Sequence, residues 1–230
     1  MGPVSAILTD IEGTTTPIAF VHRTLFPYAR ANLAAFLAAR ADQPEVAAEL
    51  AEIRRLSHGA EPLDVLRAWM DQDAKATPLK TIQGMIWRLG YDRGELRGEV
   101  FPDAAACLRT WHSAGLKLFV YSSGSVEAQR QIFGRSTAGD LAGLFAGFFD
   151  THIGAKREAD SYDRIAIAAG TPAPSMLFLS DVEAELDAAA IAGLRTCQLV
   201  RAEDGTQPSA RHATAVDFFA ASRHFDLPVP

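Results

Sequence analysis

The sequence predicts an α/β protein whose core is a doubly wound, Rossmann-like parallel sheet that carries an inserted all-helical domain. Two observations lead to this fold class. From about residue 100 onward, short apolar runs of strand length alternate with segments of helical spacing, which is typical of a parallel sheet covered by helices. Between the first apolar run and that alternation lie roughly 80 residues of purely helical spacing. We therefore expect a core of residues 1–17 and 99–230, and a helical insert of residues 18–98.

The first strand is predicted at 4–8, and a polar segment, Asp10-Ile11-Glu12-Gly13-Thr14-Thr15-Thr16-Pro17, follows directly. Because residues i and i+2 of an extended backbone lie on the same face, Asp10 and Glu12 can serve one site. Two acids at the end of a parallel strand favour a magnesium site with Asp10 as a nucleophile toward phosphorus and Glu12 in proton transfer. The simpler alternatives are a turn-capping Asp10 and a solvated loop glutamate at Glu12.

The insert shows four amphipathic segments without an intervening strand, so we expect a small helical bundle. Thr77 is expected to be the N-cap of the fourth segment, because Pro78 then occupies the first helical position. The four segments are 25–37, 46–56, 62–70 and 77–89.

Beyond the insert, helices and strands alternate. The predicted helices are 103–113, 126–133, 161–169 and 183–191, and the predicted strands are 116–121, 148–150, 176–179 and 197–200.

Three further polar clusters fall at or just beyond strand ends, where doubly wound sheets bind their ligands. Ser122 and Ser123 precede a helix and are candidate phosphate ligands, although Ser in this position more often only caps the helix. Lys156 is a candidate cation for phosphate oxygens, with a surface lysine as the simpler interpretation. Asp181 is a candidate third metal ligand.

The segment after the fourth strand allows a second interpretation. Ser180-x-x-Glu183 fits a capping box in which Asp181 merely favours the helix dipole. Glu185 follows Asp181 by one helical turn, so we expect it to face the same way as an accessory acid.

Composition excludes several classes of function. The net charge is −6, so the chain lacks the basic surface that broad binding to nucleic acid or to anionic membranes requires. Cys107 and Cys197 match no metal-ligand spacing and are expected to be buried structural thiols. With no signal peptide and no membrane-spanning run in the sequence, we expect a soluble, cytoplasmic monomer that acts on a small molecule.

Four of these elements occur in the order found in the haloacid dehalogenase superfamily of magnesium-dependent phosphatases. They are a strand-end Asp-x-acid, a strand ending in Ser, a Lys and a strand ending in Asp, and the helical insert resembles the superfamily's cap. Most of these phosphatases have Asp two residues after the nucleophile, whereas this chain has Glu12. With that Glu, the strings at 10–18, 121–129 and 148–154 resemble the enolase-phosphatase family of methionine salvage.

The resemblance implies a bifunctional reaction on 2,3-diketo-5-methylthiopentyl-1-phosphate, which is first enolised by loss of a C1 proton and then dephosphorylated to the acireductone. By motif match, Asp10, Glu12 and Asp181 would hold one Mg²⁺ ion per subunit, with Glu12 contributing through its carbonyl or indirectly. Ser122, Ser123 and Lys156 would bind the phosphate.

Three alternatives stay open from the sequence. A sugar phosphatase of the same superfamily shares all the motif chemistry. A haloalkanoic acid dehalogenase uses an Asp nucleophile without metal, and the acids at Glu12 and Asp181 disfavour it. A phospho-receiver domain is disfavoured because it lacks a long helical insert.

Overall fold

The computed structural model describes residues 2–230, which separate into two compact units. One unit comprises the residues up to Ile18 together with Arg97–Pro230, and the other is Ala19–Leu96. In residues 2–230, no helix combines the length and the apolar composition that a membrane crossing requires.

The first unit is built on a single six-stranded sheet. Its strands are β1 (Ala6–Thr9), β2 (Lys117–Tyr121), β3 (Gly147–Phe149), β4 (Met176–Ser180), β5 (Arg195–Leu199) and β6 (Ala213–Ala215). The spatial order is β3-β2-β1-β4-β5-β6, and every neighbouring pair is parallel. This order confirms the predicted doubly wound parallel sheet.

The two central strands are apolar along their whole length because helices cover both faces of the sheet. All four residues of β1 and all five of β4 are buried. Predicted strand boundaries differ from the observed ones by one or two residues. The starts of β1 and β5 each differ by two residues. β5 begins at Arg195 rather than Cys197, because the polar residues Arg195 and Thr196 do not continue the apolar pattern.

The second unit is entirely helical and has its own apolar core. A π-helical turn, Val21–Leu25, joins the first two helices. The helices are α1 (Ile18–Phe20), α2 (Phe26–Arg40), α3 (Pro44–Leu56), α4 (Pro62–Asp71) and α5 (Thr77–Asp92). Residues of α2, α3, α4 and α5 together form one buried cluster that includes Leu33, Ile53, Leu66 and Ile82.

The predicted N-cap at Thr77 is wrong by one residue. Ala76 has extended backbone angles (φ −68°, ψ 130°) and precedes the helix, so Thr77 is already its first residue. No side chain caps this helix end.

The helices of the first unit cover the sheet. They are α6 (Pro102–Ser113), α7 (Val126–Gly134), α8 (Ala159–Ala169), α9 (Glu183–Ile191) and α10 (Phe218–His224). A buried cluster joins the sheet to α8 and α9 through Phe178, Ile165 and Leu186.

The chain after Val200 contributes to the core of the first unit. It supplies the edge strand β6 and the helix α10, whose N-cap Asp217 accepts a hydrogen bond from the backbone N–H of Ala220. Phe218 of α10 is buried and stacks on Trp111 of α6, with ring centroids 5.3 Å apart. This segment is therefore part of the core.

Candidate active site

The strand order reverses direction between β1 and β4, and ligands of doubly wound sheets bind at the carboxyl ends of strands beside such a point. Asp10 is the first residue after β1, and Asp181 is the first residue after β4. The backbone N–H of Asp10 donates to the carbonyl of Leu179 over 2.9 Å, which ties the two strand ends together. The sheet thus places both carboxylates at its switch point.

Asp10, Lys156 and Glu185 form a buried ionic cluster. The Lys156 Nζ lies 2.6 Å from Asp10 Oδ1 and 2.7 Å from Glu185 Oε2, and all three side chains are at most 11% exposed. Burial alone would lower the pKa of Lys156, but the charges of Asp10 and Glu185 raise it overall. Lys156 therefore stays protonated beside Asp10, where it can hold the oxygens of a phosphate.

The loop that carries Lys156 is fixed by hydroxyl groups of β2 and α8. Three hydroxyls donate to three successive carbonyls: Tyr121 to Gly154 (2.8 Å), Ser161 to Ala155 (2.8 Å) and Tyr162 to Lys156 (2.7 Å). A Cβ atom at Gly154 would lie 2.2 Å from the Ser161 hydroxyl, so only glycine permits this approach. The position of the lysine is thereby set by its backbone as well as by its ion pairs.

The loop after Asp10 folds back on itself. The carbonyl of Ile11 accepts from the N–H groups of Thr14, Thr15 and Thr16 at 3.2, 2.9 and 2.9 Å. Gly13 has φ +72°, and a Cβ atom there would lie 2.5 Å from Asp181 Oδ2. The backbone of this loop therefore lies directly against the Asp181 carboxylate.

Asp181, a candidate metal ligand, has a buried carboxylate oxygen without a donor in the described part of the chain. Its Oδ1 is buried and has no hydrogen-bond partner within residues 2–230. Burial and the nearby charge of Asp10 raise the pKa of Asp181 to about 7. A buried carboxylate oxygen without a donor is costly, and a divalent cation would satisfy it.

Glu12 and the two candidate serines occupy different surroundings. Glu12 is exposed, and its backbone forms an isolated bridge with Thr16. Ser122 is buried at the end of β2, where its hydroxyl accepts from the N–H of Gly124 at 3.2 Å, and Ser123 is exposed. Neither serine caps α7, because that helix is capped by Ser125.

The capping box predicted at Ser180-x-x-Glu183 does not form. Val182 is the residue before α9, and the Ser180 hydroxyl donates to Glu185 Oε2 over 3.0 Å. Glu183 instead forms an ion pair with Arg211 over 2.7 Å. Glu185, expected only as an accessory acid, forms an ion pair with Lys156, and burial and the charge of Asp10 raise its pKa to about 7.

The residues present fit a magnesium ion better than a transition metal. Within residues 2–230, no group of three or more His, Cys, Asp or Glu side chains is arranged to hold a metal. Magnesium sites commonly use only one or two carboxylates together with carbonyls, water and substrate phosphate. Asp10 and Asp181 meet that requirement.

A shallow cavity of about 450 Å³ lies elsewhere in the same unit, along the edge strand β3. It is lined by Phe148, Asp150 and His152 among others, and it includes none of the predicted site residues. The cavity and the switch point are therefore separate places in this unit.

Comparisons with known proteins identify the family of the chain. Residues 4–193 match the model of the haloacid dehalogenase-like hydrolases. The chain is 63% identical to Enolase-phosphatase E1 of Granulibacter bethesdensis, with 100% of both chains covered, and 55% identical to that of Gluconacetobacter diazotrophicus, covering 98% of this chain and 96% of the relative. The crystal structure of the UTR4 protein of Saccharomyces cerevisiae is 33% identical and superposes with a TM-score of 0.79, covering 94% of this chain and 98% of that one. The chain therefore belongs to the haloacid dehalogenase-like hydrolases and, within them, to the enolase-phosphatase family.

Proposed function

We propose that this enzyme is a magnesium-dependent enolase-phosphatase of methionine salvage. It would convert 2,3-diketo-5-methylthiopentyl-1-phosphate to the acireductone 1,2-dihydroxy-3-keto-5-methylthiopentene plus phosphate. The observation that carries the proposal is the 63% identity over the full length to a protein named Enolase-phosphatase E1. The buried pairing of Asp10 with Lys156 at the switch point supports the phosphatase half of the reaction.

The second half-reaction needs a nucleophile and a proton donor. Asp10 attacks the phosphorus of the enol phosphate, which breaks the bond to the C1 oxygen and leaves an acyl phosphate on Asp10. Glu12 protonates the departing oxygen, then takes a proton from the water that attacks the acyl phosphate. Phosphate is released, and the Asp10 carboxylate is restored.

The phosphate group is held by side chains from two strand ends. Lys156 supplies a buried positive charge next to Asp10, and Ser122 and Ser123 supply hydroxyl and backbone donors at the end of β2. Lys156 forms an ion pair with the Asp10 carboxylate, so we expect its loss to weaken phosphate binding most.

The metal would be one Mg²⁺ ion per subunit, held by Asp10, by Asp181 and by Glu12 through its backbone carbonyl. When bound, the ion offsets the repulsion between an anionic nucleophile and an anionic phosphate, and it stabilises the charge that develops as the diketone loses its C1 proton. The unpartnered Oδ1 of Asp181 supports this assignment.

The test follows both half-reactions with the purified protein and the diketone phosphate, with magnesium and with EDTA. We expect an enol absorbance and release of phosphate, both lost in EDTA. Asp163→Asn, an exposed aspartate on α8, serves as a control that keeps full activity. Phosphate release without any enol absorbance would indicate a general sugar phosphatase, and full activity in EDTA would contradict the metal.

A further inference from the structure

We propose that Arg201 is a positioning residue that holds the metal ligand Asp181 in place through Thr14. The inference rests on the proposed function, because it assumes that Asp181 binds a divalent cation. Arg201 lies just beyond β5, in the part of the chain that the sequence motifs do not reach.

Arg201 is buried, with 5% of its surface exposed, and its guanidinium group joins two acceptors. Its Nε and Nη2 donate to the carbonyl of Thr14 over 3.3 and 2.9 Å. Its Nη1 and Nη2 donate to the two carboxylate oxygens of Asp103 over 3.2 and 2.9 Å. The guanidinium also lies 4.0 Å from the ring centroid of Phe101. Asp103 therefore neutralises the charge of Arg201, and the hydrogen bonds fix the orientation of its guanidinium group.

Thr14 connects Arg201 to Asp181. The backbone N–H of Asp181 donates to the Thr14 hydroxyl over 3.0 Å. The backbone carbonyl of Asp181 accepts from Gln198 Nε2 over 2.9 Å, and Gln198 is also buried. Side chains at and beyond β5 thus restrain the Asp181 backbone directly through Gln198 and indirectly through Arg201 and Thr14.

A purely structural role for Arg201 would predict something different. A buried arginine–carboxylate pair is often replaceable by apolar side chains of similar volume without loss of stability, so stability alone is a weak reason for it. The planar guanidinium group of Arg201 donates to the Thr14 carbonyl and to Asp103 at the same time, and so fixes their relative orientation. The single ammonium group of a lysine cannot reproduce this geometry. Residues that orient metal ligands in this way commonly change metal affinity about 10- to 100-fold when they are replaced.

The experiment compares Arg201→Lys, which keeps the charge opposite Asp103, with the wild type. Mg²⁺ binding to the metal-free protein is measured by titration calorimetry, and folding is checked by circular dichroism. We expect the dissociation constant of Mg²⁺ to rise about 10- to 100-fold. At saturating Mg²⁺, most of kcat should return, and KM for the phosphate substrate should stay near its wild-type value.

Two further variants keep the test decisive. Thr14→Val removes only the hydroxyl that Asp181 uses, and it should weaken Mg²⁺ binding even if Arg201→Lys fails to fold. Combined with Arg201→Lys, it should add less than its separate effect, because the two act along one path. Arg195→Lys is the matched control, since Arg195 also holds a carbonyl, that of Pro174, over 3.0 Å and away from the site.

Unchanged Mg²⁺ affinity in a folded Arg201→Lys or in Thr14→Val would overturn the inference, and so would an equal loss in Arg195→Lys. A wild-type protein that binds no Mg²⁺ would instead overturn the proposed function. The two failures are therefore distinguishable.

Discussion

Lys156 is the residue on which the charge balance of the site depends. It is the cation of a buried cluster with two carboxylates, those of Asp10 and Glu185. Removing one partner of a buried ion pair destabilises a protein far more than replacing both partners by apolar side chains, because the remaining charge is left without compensation.

We expect Lys156→Met to abolish phosphate release and to lower the free energy of unfolding by about 3–5 kcal/mol. Denaturant unfolding in metal-free buffer measures the second effect. Lys117→Met is the matched control, because Lys117 is exposed at the start of β2 and its Nζ donates to the carbonyl of Ala169 over 3.4 Å. If Lys156→Met is as stable and as active as Lys117→Met, the ionic cluster does not have the role described here.

Gly13 is a second residue whose identity the structure requires. Its φ of +72° is in the left-handed region, and an added Cβ would lie 2.5 Å from Asp181 Oδ2. Gly115 has a similar φ of +86°, but nothing lies within 4 Å of the position of its Cβ. Comparing alanine variants at Gly13 and Gly115 therefore distinguishes the effect of backbone strain from the effect of displacing Asp181.

Both Gly13→Ala and Gly115→Ala should lose stability, by about 1 kcal/mol for the backbone strain alone. Only Gly13→Ala should also lose Mg²⁺ binding and phosphate release, because its methyl group pushes the carboxylate away. Thermal unfolding and a phosphate assay measure these effects. Wild-type activity in Gly13→Ala would show that the Asp181 carboxylate need not lie where it does.

At the scale of the elements, the sheet topology explains why much of the site was predictable. Parallel strands bring their carboxyl ends to one edge, so Asp10 and Asp181 could be assigned to one site from strand-end positions alone. The short strand β6 gave little local signal, because it has only three residues with the sequence Ala-Thr-Ala.

Long-range polar pairing was not predictable from local pattern. Arg201 and Thr14 are 187 positions apart, and Glu185 pairs with Lys156 of the loop before α8. A buried charge in a sequence reveals nothing about its partner, since the partner is chosen by the fold. The sequence therefore predicts polar residues at strand ends better than the buried side chains that contact them.

The hydroxyl contacts on the 154–156 loop lead to a prediction about α8. Tyr162→Phe would leave the Lys156 carbonyl without its donor, at a cost of about 1–3 kcal/mol, and should raise KM for the phosphate substrate. Denaturant unfolding and steady-state kinetics measure the two effects. Tyr28→Phe is the control, because the Tyr28 hydroxyl donates to Glu95 within the helical unit. It should leave KM unchanged, and an equal rise of KM in both variants would contradict the role of this contact.

At the scale of the whole molecule, the two cysteines report on the core of the α/β unit. Burial raises the pKa of Cys107 to about 11 and that of Cys197 to about 12. Because only the thiolate reacts, about one molecule in a thousand or fewer carries a reactive thiol at pH 8.

We therefore expect both thiols to resist a disulfide reagent in the native protein at pH 8 and to react once denaturant unfolds the chain. The labelling rate should follow the unfolded fraction. Fast labelling of either cysteine under native conditions would contradict the packing of α6 or of β5.

Asp10 is the proposed nucleophile, and the most direct measurement of that role is mass spectrometry of acid-quenched enzyme during turnover of the diketone phosphate. We expect one phosphoryl group on the peptide that contains Asp10, and neither that group nor phosphate release in a folded Asp10→Asn variant. The enol absorbance in that variant would show whether enolisation is separable from dephosphorylation. Retained phosphate release by Asp10→Asn, or a phosphoryl group on another residue, would contradict the account.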